Sequence, residues 1–216
     1  MSTRARRSAA TFAIAASRVR ALWRLAILVI AASALAGALI QLIEPITSRI
    51  AANVLFVALV AITLAYANGD ASRTDPFAAV EDAAPLFGRQ RARANAIFPA
   101  AIVVVCAAAL QIWPLSRTSG TFAWSAFAVD GAAALTALSI ALSAPLRSRR
   151  NGLLYAIFAM AAALLCAAFG SAVGNSTQSD LAAVLASVGV AIMIGVLALR
   201  QYGEALARYD PLPRVS

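Results

Sequence analysis

Residues Leu153 to Val173 read LLYAIFAMAAALLCAAFGSAV, an unbroken run without a single charge. A helix of about 20 apolar residues reaches across the ~30 Å hydrocarbon core of a bilayer. The run is too long, too rich in Ala and Leu, and too free of period-two alternation to be a strand. A helix also satisfies its own backbone N–H and C=O groups, which lipid cannot do. The stretch therefore predicts a membrane-spanning helix. Five more runs of the same kind surround it: Leu25–Ile43, Ile50–Ala67, Ala96–Leu115, Thr121–Pro145 and Leu181–Leu199. The fold class expected is all-α, a polytopic bundle of six transmembrane helices.

Composition points the same way. Of 216 residues, 62% are apolar and 12% charged. Mean hydropathy is +0.82. Water-soluble domains carry about 45–50% apolar and about 25% charged residues. An ordinary soluble enzyme, a disordered chain and a disulfide scaffold are all excluded by this balance.

The missing residue types narrow the chemistry. There is no histidine, and all eighteen basic residues are arginine. Without lysine there is no P-loop lysine and no Schiff base. Without histidine there is no Ser-His-Asp or Cys-His site and no His-based zinc or haem ligation. No catalytic residue, metal site or cofactor is expected, and the chain reads as a non-enzyme. Cys106 and Cys166 each lie inside an apolar run and read as small packing residues. The net charge of +9 is spread between apolar segments and not gathered into a basic domain, so membrane topology explains it and nucleic acid is not an expected partner.

The arginines orient the bundle. Arg4, Arg6, Arg7, Arg18, Arg20 and Arg24 precede the first run, and Arg73, Arg89, Arg91 and Arg93 lie between the second and third. Arg147, Arg149 and Arg150 lie between the fourth and fifth, and Arg200, Arg208 and Arg214 follow the sixth. Only Arg49 and Arg117 fall on the other side. The positive-inside rule places both termini in the cytoplasm of a cell whose inner membrane holds the bundle. Trp23, Tyr66, Tyr155 and Tyr202 fall at expected cytoplasmic edges, and Trp113 and Trp124 at outer edges, as an aromatic belt requires. Residues 1–21 read as a basic amphipathic helix lying on the inner leaflet, with Phe12, Ile14, Val19 and Leu22 toward lipid. Residues 22–201 form the transmembrane domain, and residues 202–216 a cytoplasmic tail.

The outer loops are short, and the one substantial loop, residues 68–95, is cytoplasmic. Within it, Asp75-Pro76 is a plausible helix start, and Pro85 ends or kinks the helix that follows. The stretch Phe77-Ala-Ala-Val-Glu-Asp-Ala-Ala-Pro-Leu-Phe-Gly-Arg-Gln-Arg-Ala92 then leads into the third span. Its layout, an amphipathic N-terminal segment, six spans with both ends inside and a loop after the second span together resemble the membrane subunits of type-two ABC exporters, in the small haem-exporter-like size class. The resemblance implies a permease that dimerises, as a homo- or heterodimer, and is energised by a separate cytoplasmic ATPase. Carried over, Phe77, Val80, Pro85, Leu86 and Arg89 would contact that ATPase. Two alternatives stand beside this reading: an accessory or scaffold membrane protein without transport, and a secondary carrier or channel using an intramembrane carboxylate.

That carboxylate is Asp130, the one acidic residue deep inside a span. A charged side chain there costs about 2.5–3.5 kcal/mol on insertion scales, so it should face the bundle or water. It reads either as a cation, proton or substrate-path group, or as a carboxyl bonded to a neighbouring helix, with Gln111 and Asn53 as candidate partners. Gly170 and Gly174 form a small-xxx-small pattern that permits close helix approach. Pro99, early in the third span, is expected to kink it.

Overall fold

A computed structural model describes residues 3–43, 46–74, 88–113, 124–147 and 152–208. Six helices account for nearly all of them: α1 Thr3–Ile40, α2 Ile46–Thr74, α3 Gly88–Leu110, α4 Trp124–Arg147, α5 Gly152–Thr177 and α6 Asp180–Arg208. Five contain segments long and apolar enough to cross a membrane: Arg18–Ile40, Ser48–Gly69, Trp124–Leu142, Gly152–Thr177 and Asp180–Glu204. The sixth apolar helix, Ala94–Leu110 in α3, is shorter.

Helix α4 is the centre of the bundle and packs against α2, α3, α5 and α6. Helix α1 lies at one edge, against α2 and α3. On α5 the side chains are sorted by size, although larger residues such as Val54, Val57 and Leu64 of α2 are buried elsewhere in the bundle. On α5 the buried residues are Ala159, Ala163, Cys166, Ala167 and Gly170. Its exposed residues include Leu153, Leu154, Ile157, Phe158, Leu165 and Phe169. In water the large side chains would be the ones to hide. In lipid they lose nothing by facing outward, and small residues inside let helix backbones approach and gain dispersion contact. This sorting on α5 agrees with the five long apolar helices in suggesting a membrane protein.

Glycines set the closest approaches. A Cβ on Gly37 of α1 would run into the main-chain oxygen of Leu110 in α3. A Cβ on Gly170 would run into Ser187 Oγ, and one on Gly174 would lie 2.7 Å from the Ala183 Cβ, so α5 and α6 meet along these two positions. The two helices are joined by only Gln178 and Ser179. Gln178 has a φ of 52°, the left-handed conformation that ends a helix. The Ser179 N–H donates to Gly174 O at 3.1 Å, and the Ser179 hydroxyl accepts from Ala182 N at 3.4 Å to cap α6.

Three buried or half-buried hydroxyls inside the helices are satisfied locally. Ser33, Thr136 and Ser139 each donate to the carbonyl four residues earlier, at 2.7, 2.9 and 2.8 Å. Arg49, read above as one of two arginines on the outer side, folds back on the α1–α2 turn and donates to Ile43 O and, at 3.5 Å, to Gln41 Oε1.

Near the N-terminus the exposure of individual residues differs from the sequence reading. Helix α1 is continuous through residue 21, with no break between an interfacial segment and the first span. Its 38 residues make it about 57 Å long at 1.5 Å per residue. Leu22, expected to face lipid, is buried, whereas Val19 is exposed. The reason is periodicity: Leu22, Ala26, Val29, Ser33, Gly37 and Ile40 recur every three or four residues and form one stripe toward the bundle. Tyr202, read as part of the aromatic belt, is also buried.

Candidate functional site

Asp130 lies on α4, six residues from its start at Trp124, or about 9 Å along the helix axis. It is 2% exposed. Gln111, just beyond the last residue of α3, donates its Nε2–H to Asp130 Oδ2 at 3.0 Å. Asn53 on α2 donates its Nδ2–H to the same oxygen at 3.5 Å. Three helices thus share one carboxyl oxygen. A carboxyl in an apolar bundle is costly unless hydrogen-bonded, and two amide donors supply those bonds without a cation. The Gln111 contact is the stronger of the two by distance. Gln111 is positioned by the tight turn that ends α3, where its N–H donates to Ala108 O at 3.0 Å. Gly37 presses on that same turn from α1. The triad sits toward the end of the bundle opposite the arginine-rich one.

The second polar layer lies at the arginine-rich end and was not anticipated as a unit. Pro99 of α3 has no N–H, so the main-chain oxygen of Asn95, four residues earlier, has no helical donor. The Asn68 side chain on α2 donates to that oxygen at 3.3 Å. Two residues earlier on α2, the Tyr66 hydroxyl donates to Gly152 O at the start of α5, at 2.6 Å. Gly152 leaves the space for it, since a Cβ there would meet the hydroxyl at 2.8 Å. Tyr66 is therefore an interhelical tie in addition to an edge aromatic. Asn68 and Asn95 are 2% and 5% exposed, and among the described residues no donor reaches either side-chain oxygen. Asn95-xxx-Pro99 was the signal available in the sequence: an asparagine whose carbonyl a proline has freed.

Arg18 is a further surprise. It continues the buried stripe of α1 and is 0% exposed, where the sequence reading put it in a basic helix lying on the inner leaflet. Its position on the stripe, and not its charge, decides its burial.

A groove of about 520 Å³ runs between α3, α4 and α6. Ala100, Gly131 and Gly195 are among the small residues lining it, Leu138 and Ile192 among the large ones, and Ser139 supplies a hydroxyl. Asp130 does not line it; the carboxyl faces α2 and α3 instead. Cys106 and Cys166 are buried and free, and the Cys166 thiol donates to Ser187 O at 3.4 Å. Among the described residues no three His, Cys, Asp or Glu are placed to hold a metal ion.

Of the loop residues expected to meet an ATPase, Phe77, Val80, Pro85 and Leu86 lie outside the described residues. Arg89 falls in the first turn of α3, and its side chain is likewise outside them. Gly170 and Gly174 are both at the α5–α6 contact.

No protein-family model, no curated protein and no solved structure matches this chain. Its function is therefore argued from its own residues.

Proposed function

We propose that this chain is the membrane-embedded subunit of a transporter in the cell's inner membrane. Six helices cross the bilayer, with α3 completing the set, and both ends and the arginine-rich loops face the cytoplasm. The observation that carries a transport reading is the Asp130–Gln111–Asn53 triad. It is a polar centre shared by three helices, in a bundle whose interior is otherwise built largely from alanine, glycine and other small residues. An intramembrane ionisable residue is a functional hypothesis by default.

The energy source is assigned to a separate ATPase, because the chain has no lysine for a phosphate-binding loop. The segment that joins α2 to α3 is the docking element, with Phe77, Val80, Pro85, Leu86 and Arg89 as its contacts. Two copies, or this chain and a related one, would form the complete pathway, as the resemblance to type-two ABC exporters implies. Purification of the tagged full chain in mild detergent tests this. A Walker-type ATPase should co-purify, and Phe77→Ala with Leu86→Ala should release it. Tags on the two termini should both be protected in right-side-out vesicles. Termini on opposite faces, or no ATPase even after cross-linking in cells, would overturn the reading.

The triad also favours a second reading, a carrier that moves a small cation or a proton through Asp130 without an ATPase. Proteoliposomes containing this chain alone would then show cation or proton flux, and Asp130→Asn would abolish it. A sealed bilayer with no flux removes this alternative.

A further inference from the structure

Helix α2 carries interhelical side-chain hydrogen bonds at two levels. Asn53 reaches Asp130 at one, and Tyr66 and Asn68 reach Gly152 and Asn95 at the other. Along the helix the levels are about 20 Å apart. Between them Val54, Val57, Ala58, Ala61, Leu64 and Ala65 are buried and apolar. The two levels are unequal. At the Asp130 level one carboxyl oxygen collects donors from two helices, and neither amide donor is left competing for a second acceptor there. At the other, Asn68 bonds a carbonyl that a proline has freed, and the side-chain oxygens of Asn68 and Asn95 are buried without a donor among the described residues. Water entering the second level would satisfy both oxygens. Water entering the first would compete with bonds already made.

Resting on the transport reading, we propose that the arginine-rich end of α3 is a gate that swings about Pro99. Asn68 is its latch, and the Asp130 level stays shut as it opens. A proline inside a helix removes one backbone bond and leaves a natural bending point. The Asn68 amide replaces that bond from the neighbouring helix, so releasing it frees α3 from α2 at the position where α3 is most easily bent. Tyr66 holds the start of α5 to the same end of α2. Asn68 and Tyr66 are positioning residues; neither needs to touch what is carried.

Two buried reporters on α2 test this. Val54 and Ala65 lie about 9 and 6 Å inside the two ends of its apolar stretch Ser48–Gly69, so the response of each reporter to the latch variants, and not their starting rates alone, carries the test. Cys106→Ala and Cys166→Ala provide a thiol-free background. Val54→Cys or Ala65→Cys is then added, the chain is placed in lipid nanodiscs, and labelling by a water-soluble maleimide is timed. The Ala65→Cys reporter should react about tenfold faster, a difference of ~1.4 kcal/mol in opening. Asn68→Ala should accelerate it further, and so should the milder Tyr66→Phe, while the Val54→Cys reporter keeps its rate. Equal rates at the two reporters would overturn the gate, as would latch variants that accelerate both alike or neither. The assay needs no ATPase and no substrate. Its failure removes the gate alone, whereas loss of the transport reading would show in co-purification and flux.

Discussion

The Asn68 side chain donates to the main-chain oxygen of Asn95, the carbonyl that Pro99 leaves without a partner inside its own helix. Donor and acceptor are therefore coupled through a third residue. Asn68→Ala strands a buried carbonyl and should cost about 1–3 kcal/mol. Pro99→Ala restores an N–H to that carbonyl. In the Pro99→Ala background, Asn68→Ala should cost less than ~1 kcal/mol, and the two changes should not add. Unfolding of the four proteins in mixed micelles measures the coupling.

At the Asp130 level the two donors should not be equal. Gln111→Leu removes the 3.0 Å bond and should destabilise by about 1–3 kcal/mol, while Asn53→Leu removes the 3.5 Å bond and should cost at most ~1 kcal/mol. The same micelle unfolding ranks them; an equal or reversed ranking contradicts the geometry.

The Gly170–Ser187 contact predicts a rescue. Gly170→Ala drives a methyl group into the Ser187 hydroxyl and should cost about 1–3 kcal/mol. Ser187→Ala removes that oxygen, which has no hydrogen-bond partner among the described residues, so the double variant should recover most of the loss. Thermal aggregation midpoints of the two single variants and the double variant provide the check.

Glycine-to-alanine changes should have opposite signs at two positions. A Cβ on Gly131 meets nothing within 4 Å, whereas one on Gly37 runs into the Leu110 backbone. Gly131→Ala should be neutral or stabilise by up to about 1 kcal/mol, the helix-propensity difference. Gly37→Ala should destabilise by about 1–3 kcal/mol through overpacking. Parallel unfolding curves settle both signs.

Much of the helix inventory was legible because hydropathy reports where lipid begins and ends. It does not report where helices end. The second span read as Ile50–Ala67, yet α2 runs Ile46–Thr74, since backbone hydrogen bonding continues past the hydrocarbon boundary. Gln111 and Asn53 could be named as partners of Asp130 because a buried carboxyl must find donors, and those two amides stood near span ends. The Asn68–Asn95 link joins residues 27 positions apart, and no local pattern announces such a pairing. Arg18 was misplaced because charge is a local property and burial is a tertiary one; only the three-and-four spacing of its stripe hinted at the outcome. The loop around Phe77 to Leu86 was read for its layout, and that layout lies outside the described residues.

The Gln178–Ser179 turn bears on biogenesis. Two residues offer little slack, so α6 is led back along α5 to cover Gly170 and Gly174. A chain halted shortly after residue 180 would leave those two glycines uncovered. An epitope spliced between Gln178 and Ser179 would pry apart surfaces that otherwise zip together on arrival.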